Sequence, residues 1–312
     1  MKCSIIVVTY NGKEVTKILL DQLTRELRNA KDNEVIVWDN NSQDGLKELL
    51  KNYLDNANWK IFLHEWNLGF AGGNNEAAKY AEGEYIFLLN PDTEIKKEDI
   101  RKMTDYLDSH PKVGIIGPRM IDEAGVVQES FGEDMTPFSE FVGKFWGSLY
   151  LESIPVFRKL KEKKLNRRTT INVGWIGGAG MMIRSEIWRK IGGIDVNFFY
   201  SAGDMVDVGK KVRDSGWEII YFPEVTIIHK GSKTIAGNRT KALEKSYEGT
   251  LYYFKKHHGA FTVLVVKVVY CFASLVKGII ASSFSIFKRE PFLDIAKSHL
   301  NASIKIVLGK IK

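Results

Sequence analysis

The 312-residue sequence predicts an α/β layer protein with a mostly parallel central sheet flanked by helices. Three observations lead there. Short, near-continuous runs of Ile, Val, Leu and Phe recur through the first half, stretches of helical period separate them, and the runs end in short polar side chains. A run that is apolar at every position suits a strand buried on both faces, as in a parallel sheet covered by helices.

The elements follow in order. Residues 4–8 form a strand that passes into Thr9-Tyr10-Asn11, and residues 13–30 have helical period. Residues 34–38 give a second strand, ending in Asp39-Asn40-Asn41-Ser42, and 46–54 a second helical stretch. Residues 60–64 read as a strand and 75–82 as a helix; the strand at 85–89 then runs into Asn90-Pro91-Asp92-Thr93. The second half is less regular. Residues 131–168 mix aromatics with Gly and end in a run, 158–168, holding seven bases and one acid. Residues 171–183 are Gly-rich and apolar, and 185–191 read as a helix capped by Ser185 and closed by Gly192-Gly193.

Composition narrows the function. Hydrophobic residues at 44%, charged residues at 27% and only 7 Pro exclude disordered and low-complexity classes. Two cysteines without a CxxC pattern exclude a disulfide framework and point to a reducing compartment. Too short an apolar run opens the chain for a secretory signal, so a cytoplasmic location is expected. From residue 251 onward ten Lys and Arg face two acids, while the first 250 residues are almost neutral. A basic tail that is also apolar fits an anionic membrane surface better than nucleic acid, for which the positive charge would lie on the folded body.

In open α/β sheets ligands sit outside the carboxyl ends of the strands, and three strand ends here carry side chains suited to a base, a ribose and a metal-bound phosphate. Capping of the following turns is the plainer reading of each one alone. The stretch Glu65 to Asn75 is rich in Gly but has neither GxGxxG nor GxxxxGK[ST] spacing, which removes dehydrogenase, kinase and P-loop readings. A carboxylate at Asp92, after Asn90-Pro91, can bind Mg²⁺ or Mn²⁺ completed by phosphates and water, and such an ion stabilises a departing diphosphate.

Val8-Thr9-Tyr10-Asn11, Asp39-Asn40-Asn41-Ser42-Gln43-Asp44-Gly45, Asn67-Leu68-Gly69-Phe70-Ala71-Gly72-Gly73-Asn74-Asn75, Leu88-Leu89-Asn90-Pro91-Asp92-Thr93 and Gly192-Gly193-Ile194-Asp195 with Phe198-Phe199 stand in the order of a known family. Over residues 2–257 the chain resembles the family 2 glycosyltransferases, especially their rhamnosyltransferase-like branch. The resemblance implies a GT-A fold, a nucleotide-sugar donor of dTDP-rhamnose or UDP-sugar type, and inverting transfer to a hydroxyl of a glycan or lipid-linked acceptor. It puts Thr9, Tyr10 and Asn11 along the nucleotide, Asp39 at the base or ribose, and Asn67 and Gly69 at the nucleoside pocket. Asn90, which joins these donor-nucleotide residues, fills the first place of the usual two-carboxylate metal motif. Asp92 then holds the metal, with His229 as a further metal or diphosphate ligand, and Trp175 either stacks on a sugar or belongs to the core.

The acceptor-activating base departs from the family pattern. Counted forward from Asp195 the base position falls on Asp204; counted back from Arg213-Asp214-Ser215-Gly216-Trp217 it falls on Met205. An insertion after Asp204 reconciles the counts, which makes Asp204 the expected base and Asp207 its reserve, since a thioether accepts no proton. With Met205 in that place, the chain would instead be a catalytically weak sugar-nucleotide-binding or scaffold protein of a glycan assembly complex.

Two parts are expected: a catalytic domain over 1–250 and a helical segment over 251–312. Residues 260–287 are apolar but interrupted by Lys267 and Lys277, leaving no uncharged stretch of the roughly 18–20 residues a spanning helix needs. Lys267, Lys277 and Lys288 share about an 80° sector of a helix, which suits a peripheral helix at the inner face of the cell membrane. Packing on the domain or on a second copy of the chain is the alternative.

Overall fold

The computed structural model describes residues 1–28, 30–140, 165–198, 203–231 and 239–285, together with Lys297, Leu300, Asn301 and 304–306. Two compact units emerge. Met1–Asp134, Leu165–Val196 and Met205–Ser232 form the first; Met135–Lys164, Asn197–Asp204 and Lys233–Lys312 form the second. The expected segment from 251 onward lies wholly in the second.

In chain order the elements are β1 (Cys3–Thr9), α1 (Lys13–Leu27), β2 (Asn33–Asp39), α2 (Leu46–Leu50), β3 (Trp59–Leu63), α3 (Gly69–Ala78), β4 (Tyr85–Leu89), β5 (Thr93–Glu94) and α4 (Lys97–Ser109). They continue with β6 (Val113–Ile121), β7 (Phe131–Gly132), β8 (Ile171–Asn172), β9 (Trp175–Ile176), β10 (Gly180–Arg184), α5 (Ser185–Ile191), α6 (Asp204–Asp214), β11 (Glu218–His229) and α7 (Arg239–Ser285).

The main sheet of the first unit runs β3-β2-β1-β4-β10-β6-β11-β5, with β8 also paired to β11. Strands β3, β2, β1 and β4 are mutually parallel. Strand β10 is antiparallel to both of its neighbours, and β6 and β11 are parallel again. Both faces are buried, which explains the unbroken apolar runs: Ile5, Val7, Val35 and Val37 enter one core cluster, Ile6, Ile36 and Trp38 the other. Helix α1 closes the first face with Leu19, Leu20, Leu23 and Leu27, spaced three and four apart.

One helix differs from the sequence expectation. Residues 75–82 were expected to be helical, whereas α3 begins at Gly69 and ends at Ala78, so the glycine stretch is itself helix. Close packing explains this against the poor helix propensity of Gly. A Cβ on Gly73 would meet Val8 at 2.7 Å, the Asn40 amide at 3.1 Å and Trp38 at 3.3 Å, so only glycine lets α3 lie this near β1 and β2.

A buried ion pair supports the edge of the parallel half. Glu34 is almost fully buried, and its carboxylate accepts from the Ser4 hydroxyl at 2.6 Å and the Glu82 amide at 2.7 Å while Lys60 Nζ stands 2.9 Å away. Burial raises its pKa, but the Lys60, Ser4 and Glu82 hydrogen bonds outweigh that and leave it below the usual carboxylate value.

In the second unit, α7 breaks at Gly259, where φ is 83° and ψ is 175°, a conformation open to glycine. The two halves then meet: Tyr247 and Tyr270 stack with centroids 4.4 Å apart, the Tyr247 and Ser274 hydroxyls are 3.0 Å apart, and the Tyr270 hydroxyl donates to Glu140 at 2.5 Å. Opposite this buried seam, Phe261, Leu264, Val265, Val268, Phe272 and Leu275 are exposed along one stripe. The stretch Glu244–Val276 is long and apolar enough to cross a membrane by length and composition. The break at Gly259 divides that stretch and Lys267 interrupts its second half, so its longest uncharged run stays as short as the sequence implied. The run 158–164 and Lys288 lie outside the described residues.

Candidate active site

Parallel pairing brings the carboxyl ends of β1, β2 and β4 side by side, and each turns into the polar residues noted above. Thr9 is buried, its hydroxyl 2.8 Å from that of Thr16, and its carbonyl accepts from the Asn40 amide. Tyr10 is exposed beside it. Asn11 takes a left-handed φ of 49°; its amide donates to the Ser42 hydroxyl, and its side-chain oxygen accepts from the Gln43 amide. This crosslink locks the first strand end onto the second. Asp39 is fully buried, and both its carboxylate oxygens accept from the Ser42 amide, at 3.3 and 3.1 Å. Part of its role is therefore the turn itself.

Asn40 reaches the next loop, donating to the Gly69 carbonyl at 3.0 Å. Asn67 is exposed, and its side-chain oxygen accepts from the Gly69 amide at 2.8 Å, starting α3 at the strand ends. Asn90 uses its backbone here: its amide donates to the Ala179 carbonyl, and its carbonyl accepts from the Thr93 hydroxyl.

Asp92 and His229, far apart in sequence, meet because Thr93 pairs with His229 across β5 and β11. Asp92 is 5% exposed, and its Oδ2 has no hydrogen-bond partner. The His229 Nε2 stands 3.5 Å from Asp92 Oδ1, too far for a good hydrogen bond. Gln128 sets the ring. Its Nε2 donates to the His229 carbonyl at 2.8 Å, so its Oε1 faces Nδ1 at 2.6 Å and accepts the proton there. Nε2 is then left with its lone pair toward Asp92, the tautomer of a metal-ligating histidine held by an outer hydrogen bond. A buried carboxylate whose Oδ2 is orphaned, with an imidazole lone pair 3.5 Å from its Oδ1, fits a divalent cation. Among the described residues no group of three or more His, Cys, Asp or Glu forms a metal cluster, so water and substrate oxygens would complete the shell. Beside it Lys230 pairs with Glu94 at 2.8 Å, and that hydrogen bond raises its pKa.

The remaining expected residues lie on or near α6. Asp204 is its buried first residue, and the helix continues without interruption to Asp214. Met205 is buried in the second core cluster. Asp207 is fully buried, with Lys211 Nζ 3.4 Å away; Lys211 also donates to the Gly193 carbonyl at 2.7 Å. Trp175, on β9, is half-buried with its ring laid on Gly132, where a Cβ would come within 2.6 Å of it. Gln128 is the residue that sequence reasoning missed: nothing in its neighbourhood marks a loop glutamine that buttresses a histidine on a distant strand.

Three comparisons bear on this arrangement. The sequence profile of glycosyl transferase family 2 matches residues 4–192. The poly(ribitol-phosphate) beta-N-acetylglucosaminyltransferase TarS of Staphylococcus aureus is 33% identical over 135 residues, which are 43% of this chain and only 24% of that protein. The N-acetylglucosaminyl-diphospho-decaprenol L-rhamnosyltransferase of Mycobacterium tuberculosis is 22% identical over 269 residues, covering 81% of this chain and 84% of its own. Among solved structures, a mannosyltransferase from Pyrobaculum calidifontis in complex with GDP-Man and Mn²⁺ superposes with a TM-score of 0.59 at 14% identity, covering 99% of this chain and 88% of the other.

Proposed function

The chain belongs to glycosyl transferase family 2 and has the GT-A fold, and from that premise we propose that it is an inverting, metal-assisted glycosyltransferase. It takes a sugar from a nucleotide-diphosphate donor of the dTDP-rhamnose or UDP-sugar type and passes it to a hydroxyl of a glycan or lipid-linked acceptor. The observation that carries this reading is the buried Asp92 oxygen without a partner beside the oriented lone pair of His229.

Thr9, Tyr10 and Asn11 line the nucleotide, with Asp39 at its base or ribose, and Asn67 and Gly69 border the pocket. Asn90 shapes the turn, through the Thr93 and Ala179 contacts that hold the Asp92 backbone. Asp92 and His229 hold Mg²⁺ or Mn²⁺. When bound, such an ion neutralises charge on the departing diphosphate. Asp204 removes the proton from the acceptor hydroxyl as its oxygen attacks the anomeric carbon, with Asp207 in reserve, and positioning of the two substrates supplies much of the remaining acceleration. A single displacement inverts the anomeric centre. Trp175 offers an aromatic face to a sugar ring.

The second unit serves localisation. Its exposed stripe of Phe261, Leu264, Val268 and Phe272 enters the lipid interface at the cytoplasmic face, while Lys255, Lys256 and Lys267 along the same helix meet anionic headgroups. The catalytic part is 1–250, and 251–312 is the anchoring segment.

One observation favours a second reading. The unbroken α6, with Met205 in the core, leaves no irregularity between Asp204 and Asp207 to absorb an inserted residue. In that case the chain binds a sugar nucleotide within an assembly complex and transfers slowly. Incubating the full chain with dTDP-, UDP- and GDP-sugars and Mn²⁺, and following nucleotide release, separates the two: release of one nucleotide supports the transferase, and tight binding without release supports the second reading.

A further inference from the structure

We propose that Arg119 and Arg168 form a subsite for a phosphate-type dianion, distinct from the Asp92–His229 pair. Arg119 sits on β6 opposite Thr226 of β11 and is only 7% exposed. Burying a guanidinium is costly unless its charge is balanced and its donors are met. Among the described residues neither condition holds. No carboxylate pairs with Arg119, its hydrogen bond runs from Nη2 to the Asn166 side-chain oxygen at 3.0 Å, and its buried Nε has no partner.

Nε and Nη2 are the two donors of one edge of the guanidinium fork, the edge that accepts two oxygens of one anion. Here one half of that edge holds a neutral amide oxygen and the other half is buried and unpaired. Asn166 is exposed, so its amide can yield to a ligand oxygen without disturbing the core. Arg168, also exposed, stands two residues beyond Asn166 on the same segment, and burial first and then its charge push the Arg119 guanidinium below its ordinary pKa. Both arginines also act on the Tyr221 phenol, whose pKa burial raises. A buried guanidinium with one unpaired donor, and a second arginine two residues beyond its Asn166 partner, suit a ligand with at least two negative charges.

The subsite lies apart from the metal pair. Side chains alternate along a strand, and Met120 and Ile227 enter the first core cluster together. Arg119 therefore leaves β6 on the opposite face from Met120, whereas His229, two residues beyond Ile227, leaves β11 on the face of Ile227. Under the transferase reading, two molecules bring such a dianion: the donor, through its diphosphate, and an acceptor that carries phosphate. The opposite faces favour the acceptor.

The test is a titration of the full chain with inorganic phosphate in EDTA, read by calorimetry. Wild type is expected to bind, with Arg119→Met and Arg168→Gln each weakening affinity about ten-fold or more, and Asp92→Asn leaving it unchanged. Equal affinity in wild type and both arginine variants, or no binding by wild type, overturns the proposal. If Arg119→Met does not fold, the exposed Arg168→Gln decides alone. The source follows from nucleoside diphosphate binding in Mn²⁺: a matching loss in Arg119→Met assigns the subsite to the donor, and an unchanged affinity assigns it to the acceptor. Because phosphate binding in EDTA needs neither metal nor turnover, its failure and a failure of the transferase reading are separate results.

Discussion

His229 turns its Nε2 to within 3.5 Å of Asp92 Oδ1 because Gln128 holds the proton of the opposite ring nitrogen. One strand and two loops thus meet at a single carboxylate. Asp92→Asn is expected to lower kcat/KM by about 10²–10³-fold, and His229→Ala by about 10–100-fold with a higher Mn²⁺ requirement. Gln128→Leu removes the acceptor of the Nδ1 proton and raises the Mn²⁺ requirement about ten-fold, whereas Gln128→Glu, which still accepts that proton but loses the donor to the His229 carbonyl, raises it less. Initial rates across a Mn²⁺ series check all four; equal requirements in both Gln128 variants would remove its role in orienting the ring.

The base assignment has its own pair of variants. Asp204→Asn is expected to lower turnover by about 10²-fold or more while leaving donor binding intact. Asp207→Asn takes the charge from a fully buried carboxylate beside Lys211 and is expected to lower the melting temperature. Full activity in Asp204→Asn would exclude it as the base.

Acid stability should report on Glu34. Its folded pKa lies below its unfolded value, so its stabilisation is fully present above the unfolded pKa of about 4.3 and fades as pH falls through the folded value. Wild type is expected to lose melting temperature steeply on acidification below about pH 4.3. Glu34→Gln is less stable at neutral pH by about 1–3 kcal/mol and changes less on acidification. Parallel pH curves for the two proteins would show that this ion pair contributes nothing.

Membrane attachment rests on the apolar stripe of α7. Replacing Phe261 and Phe272, 78% and 54% exposed, with Ser should release the protein from vesicles containing phosphatidylglycerol while leaving its melting temperature within a few degrees. Unchanged sedimentation with those vesicles would rule out the stripe as the lipid contact.

Much of the fold was legible because burial on both faces writes itself into sequence: the strands later found as β1, β2 and β4 are apolar runs ending in polar residues, while β3, a partly exposed edge strand, carries Lys60. The glycine helix α3 was not, because its helicity comes from close approach to Val8, Asn40 and Trp38 instead of from propensity. Nor was the antiparallel insertion of β10 between β4 and β6, since strand order leaves no periodic trace. At the site, Asp92 and His229 were visible through motif resemblance. Gln128 and Arg119 were not, because what marks them is their partners: a distant ring nitrogen for one and a missing carboxylate for the other.

The central claim is that a nucleotide sugar binds this chain through a divalent ion held at Asp92. Thermal unfolding of wild type and Asp92→Asn with dTDP-, UDP- and GDP-sugars, each with and without Mn²⁺, tests it most directly, since a ligand bound only to the folded state raises its stability. The account predicts that one nucleotide class raises the wild-type midpoint only when Mn²⁺ is present, and that Asp92→Asn loses this rise. No rise with any nucleotide, or an equal rise in both proteins, would contradict it.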